Sequence, residues 1–212
     1  MKNIVAITLG ILALLLVGFL ANNLWPKTQD LSVFLRPTFT SSYTMTLIAS
    51  EERPEPYTVT LGPTEEESAS FEVTSTQGQY LDEEGRLALT LLAQKINEED
   101  MALFKEKAWA RYQSPSRAGL SEQYSKDGYD VYVSFRDLTG DEDTSTMLTM
   151  GSGYVFFPED NTVITYSMFN PRLYACEDQW NPETCRHDES RALPTMDDNK
   201  TISNQIIDHF TK

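Results

Sequence analysis

Cysteine and histidine are scarce in this sequence. Its 212 residues include only two cysteines and two histidines. Structural zinc sites use four ligands in spaced pairs, whereas here Cys176 and Cys185 have a single neighbouring histidine, His187. The sequence also has no glycine-rich phosphate loop. We therefore expect no metal site and no cofactor, and the sequence identifies no catalytic residue.

Two segments match functional motifs only in part. From Asp141 onward, oxygen-bearing side chains recur as in a calcium-binding loop, but Thr146 and Ser152 occupy the positions that require Gly and Glu. Gly151-Ser152-Gly153 resembles a turn that presents a catalytic serine. It lacks the full Gly-x-Ser-x-Gly pattern, and strand-like residues follow it instead of a helix. The sequence therefore predicts neither a calcium-binding loop nor a catalytic serine in these segments.

Basic residues are outnumbered almost two to one. The formal net charge is −15, and the part of the chain after Pro26 holds every acidic residue. Such a charge repels phosphate backbones, so we expect no nucleic-acid partner. A basic protein partner is electrostatically favoured, although the charge also serves solubility. Acidic residues on predicted turns are the candidate contacts: Glu65, Glu66, Glu67, Asp141 and Asp143.

Apolar runs long enough to span a membrane are absent except at the start of the chain. Ile4 to Ala21 has no charged residue, and as a helix it would cover roughly 27 Å, close to a hydrocarbon core of about 30 Å. We predict an N-terminal signal-anchor in residues 1–26, with membrane contact through residues 4–25, and a domain in residues 27–212. The expected location is the cell membrane, with this domain periplasmic or extracellular. A cleaved signal peptide, giving a secreted protein, is the alternative, although Phe19 is large for a cleavage site.

The cysteine pair predicts a disulfide if the domain lies in an oxidising compartment. A bond between Cys176 and Cys185 would close a short loop and stabilise the domain by roughly 2–3 kcal/mol in the chain-entropy model.

Alternating polar and apolar residues predict strands on both sides of a central helical region. Tyr43 to Ala49, Tyr57 to Leu61 and Phe71 to Val73 alternate before it, each with a hydroxyl-rich face. Tyr129 to Phe135 alternates after it, followed by apolar runs at residues 147–157 and 162–169. Gly151 and Gly153 suggest a bend in the first of these runs.

Helical spacing predicts two central helices and one short C-terminal helix. Gly85, Leu89, Leu92 and Ile96 fall on one helical face, and Asn97 can cap a second helix containing Met101 to Trp109. Residues 113–127 are predicted to be a loop, and Ile202 to Phe210 forms the last helix. The expected fold is α+β, with a mainly antiparallel sheet and its helices on one face.

Three functional classes remain open. We expect a membrane-anchored binding or accessory domain without catalysis. The alternatives are an envelope hydrolase that uses carboxylates, and an inhibitor or immunity-type protein that masks a basic partner. Tyr132 is out of phase with its apolar neighbours, and it is predicted to share a binding surface with Tyr166.

Overall fold

The computed structural model describes residues 30–85, 87–114, 120–137, 149–169 and 195–211. Two α-helices and three single-turn 3-10 helices accompany eight strands in this part of the chain. The strands are β1 (Thr38–Thr40), β2 (Thr44–Leu61), β3 (Ala69–Asp82), β4 (Ala88–Ile96), β5 (Leu120–Lys126), β6 (Tyr129–Asp137), β7 (Thr149–Phe157) and β8 (Thr162–Phe169). The α-helices are α1 (Met101–Gln113) and α2 (Met196–Phe210), and the 3-10 helices are Leu31–Phe34, Glu98–Asp100 and Pro158–Asp160.

All eight strands belong to one antiparallel sheet that curls into a half-barrel. Their order is β1-β2-β3-β4-β8-β7-β6-β5, so the pairing of β4 with β8 joins the two halves of the chain. At one edge, β1 pairs only with Thr44–Thr46 of the much longer β2. The register of β2 on β3 shifts between Arg53 and Tyr57, a stretch that contains Pro54 and Pro56.

Helix α2 covers one face of the sheet together with the 3-10 helix Leu31–Phe34. Its apolar residues Ile202, Ile206 and Ile207 are buried against the side chains on this face. Strand β7 contributes Val155 and Phe157 to this cluster, both with no exposed surface. This face is therefore a continuous apolar core.

Two glycines of β7 leave room for neighbouring side chains on the α2 face. A Cβ atom at Gly151 would lie 2.1 Å from Oδ1 of Asn199 on α2, and one at Gly153 would lie 2.5 Å from the Tyr166 ring. The Tyr166 hydroxyl then forms hydrogen bonds of 2.7 Å with the Asn199 carbonyl and with Oγ of Ser203. The glycines thus serve close packing, and the expected bend is replaced by a regular register with β6 and β8.

The N-terminus of α2 is capped by side chains. Thr195 Oγ1 accepts a hydrogen bond from the Asp198 amide, and the Asp198 carboxylate accepts one from the Thr195 amide. Asp198 also accepts a 2.8 Å bond from the amide of Ser42, between β1 and β2. Burial favours the neutral acid, but these hydrogen bonds outweigh it and lower the pKa of Asp198.

The prediction of two central helices is wrong for the first of them. Residues 88–96 form the central strand β4, which buries Leu89, Leu91 and Ala93 on the α2 face and Ile96 on the opposite face. A strand covered on both faces reads as a nearly continuous apolar run, which periodicity cannot distinguish from a helix. Tertiary pairing with β3 and β8 overrides the helix-forming tendency of Ala, Leu, Gln and Lys here.

The α+β description with helices on one face is corrected accordingly. The described protein is mostly antiparallel sheet with two helices, and these lie on opposite faces. The two strands predicted between Tyr43 and Leu61 are a single strand, and β5 lies within the predicted loop 113–127. The second central helix and the C-terminal helix are present as α1 and α2.

The expected transmembrane helix and disulfide find no support. No helix among the described residues is long and apolar enough to cross a membrane, and Ile4–Ala21 lies outside those residues. The described part of the chain contains no disulfide, and Cys176 and Cys185 also lie outside it. The location outside the cytoplasm was inferred from the N-terminal segment and stays a prediction.

Candidate functional site

Helix α1 covers only part of the second face of the sheet. Its buried residues Met101, Phe104, Ala108 and Tyr112 recur every three or four positions, so they form one stripe along the helix. Near its start, the Phe104 ring lies 4.9 Å from that of Phe71 on β3. The helix therefore packs on apolar side chains along most of its length.

The last turn of α1 reaches a different surface. The Tyr112 ring lies 5.3 Å from that of Tyr154 on β7, and its hydroxyl donates a 2.9 Å hydrogen bond to Oγ of Ser152. Ser152 lies two residues before Tyr154 and faces the same side of the sheet. The helix thus ends at the boundary between apolar and hydroxyl-bearing parts of this face.

A row of five hydroxyl side chains crosses the sheet beyond this boundary. Consecutive members are directly paired across β4, β8, β7, β6 and β5. The members, in spatial order, are Thr90, Ser167, Ser152, Ser134 and Ser121. We call this set the hydroxyl row.

The hydroxyl row is hydrogen-bonded at one end and open at the other. Ser121 Oγ donates to Ser134 Oγ at 3.1 Å and lies 3.3 Å from the Tyr112 carbonyl oxygen. Within the described part of the chain, the hydroxyls of Thr90 and Ser167 have no hydrogen-bond partner. Both side chains are half-buried, so they face a confined space with unused donors and acceptors.

A cavity of about 390 Å³ lies over the row, and we call it the hydroxyl cleft. Four members of the row line it, together with Leu92, Tyr154 and the last turn of α1. Arg111 contributes the one charged side chain among the described lining residues. A cation is favoured in the last turn of a helix, where carbonyl groups point outward.

A second cavity of about 360 Å³ begins where the hydroxyl cleft ends, and we call it the apolar cavity. Leu92, Arg111, Tyr154 and Thr165 line both spaces. Of the remaining lining residues, Val59, Leu61 and Phe104 are apolar, whereas Thr60 and Gln94 are polar. One groove therefore runs from hydroxyls to aliphatic and aromatic side chains, with Arg111 at the junction.

Tyr112 is a hydrogen-bond donor in this site and not a proton acceptor. Burial raises its pKa well above the ordinary value of 10, and the neighbouring Tyr154 raises it further. The bond with Ser152 and the charge of Arg111 act in the opposite direction but are weaker. The phenol therefore stays protonated at neutral pH.

The predicted tyrosine pair does not form one surface. Tyr132 is 5% exposed and packs against Trp109 at a ring distance of 5.2 Å, on the α1 face. Tyr166 is 1% exposed, and its hydroxyl bonds to α2 on the other face. Their role in binding stays a prediction that the structure does not test.

The acidic clusters are only partly within the described residues. Glu65, Glu66 and Glu67 are exposed between β2 and β3, at the turn where the sequence places them. Asp141 and Asp143 lie outside the described residues. In the described part of the chain, no three metal-binding side chains come together.

No family model matches this chain, and no curated protein or solved structure shows significant similarity to it. Its function must therefore be inferred from the residues and geometry of the cleft.

The sequence analysis missed the hydroxyl row and Arg111. Alternation predicts that Ser134 lies opposite the apolar residues of β6, and Ser152 and Ser167 lie in apolar runs where hydroxyls are conspicuous. These signals do not reveal the strand order that aligns them. Because β4 was predicted as a helix, Thr90 had no expected place in the sheet.

Proposed function

We propose that this domain is a non-catalytic binding module that takes a small polar ligand in the hydroxyl cleft. The alignment of Thr90, Ser167, Ser152 and Ser134 across four strands supports this proposal most strongly. Hydroxyls can donate or accept hydrogen bonds, and they are held here by the rigid sheet. Two of them lack a protein partner in the described residues, so a ligand can bond to them without breaking an existing interaction.

The chemistry of the lining favours binding over hydrolysis. No carboxylate, histidine or cysteine is among the described residues that line the cleft. Tyr112 and Arg111 are protonated at neutral pH, so neither removes a proton from a serine or from water. Ser152 also accepts a hydrogen bond from Tyr112, which is the reverse of the donation that would activate it as a nucleophile.

Ligand screening by thermal shift on the full chain tests this function. Sugars, sugar acids, amino acids and small organic acids should include at least one compound that raises the midpoint of unfolding, because binding to the folded state stabilises it. The affinity of each hit is then measured by calorimetry on the full chain and on the Thr90→Val, Ser167→Ala double variant.

The double variant should bind a hit about 10-fold more weakly, since each lost hydrogen bond contributes about 1 kcal/mol or less. Ser125→Ala is the matched control, because Ser125 lies on β5 of the same sheet and lines neither cavity. The control should bind normally. Equal affinity in the double variant and the control would reject the cleft as the binding site.

We propose a second contact, with a basic protein, at the turn that carries Glu65, Glu66 and Glu67. The three side chains are exposed and project from the long β2–β3 hairpin in a strongly acidic protein. Opposite charge speeds association, and salt weakens this effect. Replacing all three with Gln should slow association with a basic partner isolated by affinity capture. The control replaces Glu51 and Glu52 on β2 with Gln, and it should slow association less if the position of the charge matters. Unchanged rates in the triple variant would assign the cluster to solubility alone.

A further inference from the structure

Arg111 is a half-buried cation that has no anionic partner among the described residues. Among the described residues, the ion pairs involve Arg53, Lys105, Lys107, Lys126 and Lys200, and none of them includes Arg111. Burying a guanidinium without a counter-charge is unfavourable, and the surrounding domain has a large excess of acidic residues that could have provided one. The groove thus carries a positive charge, from Arg111, in a protein whose net charge is strongly negative.

The position of Arg111 defines where an anionic group would lie. The side chain lines both the hydroxyl cleft and the apolar cavity, so an anion paired with it would have hydroxyls on one side and apolar walls on the other. A guanidinium pairs best with a planar carboxylate, to which it donates two parallel hydrogen bonds. Val59, Leu61 and Phe104 offer an aliphatic or aromatic group its own space.

We propose that the ligand is an amphipathic organic carboxylate, whose carboxylate pairs with Arg111 and whose apolar chain occupies the apolar cavity. Polar groups beside the carboxylate bond to Thr90 and Ser167 in the hydroxyl cleft. This inference rests on the proposed binding function and specifies the class of ligand. N-acylated serine combines these features, because its acyl chain leads to a carboxylate and its hydroxymethyl group branches from the carbon that carries this carboxylate.

The test compares N-octanoylserine with its neutral amide, N-octanoylserinamide, by calorimetry on the full chain. The two compounds have nearly the same shape and differ in charge. The acid should bind about 10- to 100-fold more tightly than the amide, as expected for a charge-assisted hydrogen bond in a partly buried site. Equal affinities would overturn the role of the anion.

Arg111→Gln should lower the affinity for the acid to that of the amide and leave the amide unchanged. Lys107→Gln is the matched control, because it removes the same charge one turn earlier on α1, where Lys107 pairs with Glu106. Arg111→Lys keeps the charge and should recover part of the affinity, which guards against a loss caused by misfolding. A similar loss of affinity in Lys107→Gln and Arg111→Gln would show a general charge effect and overturn the inference.

Two further measurements separate this inference from the proposed function. Citrate, which is anionic but has no apolar chain, should bind at least 10-fold more weakly than the acyl compound; equal binding would overturn the role of the apolar cavity. If neutral polyols bind in a manner that depends on Thr90 and Ser167 while neither acyl compound binds, the inference fails and the proposed function stands. If the acid binds through Arg111 but is insensitive to the Thr90→Val, Ser167→Ala double variant, the hydroxyl row is rejected as part of the site.

Discussion

The two faces of this sheet differ in how completely a helix covers them. On the α2 face, Gly151 leaves room for the Asn199 side chain against β7, and the buried side chains of Tyr166 and Asn199 form hydrogen bonds between the helix and the sheet. On the α1 face, the helix packs on apolar residues and ends at a hydroxyl-lined space. Close packing on one face and open, polar volume on the other assign stability mainly to α2 and binding to the end of α1.

Gly151→Ala should be the most damaging substitution, since the added methyl group would clash with Asn199. Overpacking in a dense interior costs about 3 kcal/mol when the backbone must shift. Its matched control is Ser152→Ala, the next residue on β7, whose side chain faces α1 and which should cost about 1 kcal/mol through the lost Tyr112 bond. Urea denaturation measures both, and equal losses would contradict the division between faces.

Tyr166→Phe should destabilise the protein by about 2 kcal/mol, because the Asn199 carbonyl and Ser203 hydroxyl would lose a partner in a buried site. Tyr112→Phe on the other face removes one bond to a half-buried serine and should cost about half as much. Thermal unfolding of the two variants gives the comparison. A larger loss for Tyr112→Phe would reverse the assignment of stability to α2.

Acid should weaken the α2 face through Asp198. Its folded pKa lies below the reference value of 3.8, so the ionised carboxylate contributes stability at pH values above about 4, and this contribution is lost as the pH falls through the folded pKa. Asp198→Asn should therefore be less stable than the parent protein at pH 6, and the difference should shrink towards pH 3. The N-cap residue of α1, Asp100, forms no side-chain cap hydrogen bond, so we expect no comparable loss of stability at the start of α1 over the same pH range. A constant difference across this pH range would exclude ionisation as the cause.

Thr90→Val should have the smallest effect on stability, within about 0.5 kcal/mol, because its hydroxyl has no partner in the described residues and valine has a similar shape. Urea denaturation measures this directly. A loss above 1 kcal/mol would show that the hydroxyl supports the fold, and the case for a free ligand-binding group at this position would fail.

The two faces also differ in how far the sequence predicts them. Helix α2 follows from the spacing of Ile202, Ile206 and Phe210, and α1 from that of Met101, Phe104 and Ala108, because each helix buries one stripe of apolar residues. Strand β4 could not be predicted in the same way, because it is apolar on both faces. Because β4 was predicted as a helix, the predicted sheet lacked the strand that joins its two halves.

The candidate site depends on relations between distant residues, which one sequence does not contain. Ser152 and Ser167 lie on neighbouring strands, but Thr90 joins their row only through the β4–β8 pairing. Arg111 resembles any basic residue at the end of a helix until the two cavities are located around it. Tyr132 shows the same limit in reverse, because its polar phase predicted exposure while Trp109 in fact covers it.

The long β2 strand has a consequence for self-association. Among the described strands, its outer edge pairs only with β1, and an unpaired edge of this kind can template another strand and start a fibril. Pro54 and Pro56 have no amide hydrogen to donate there, and the flanking glutamates Glu51, Glu52 and Glu55 would repel the same segment of a second copy. This edge of β2 is therefore a poor seed for polymerisation.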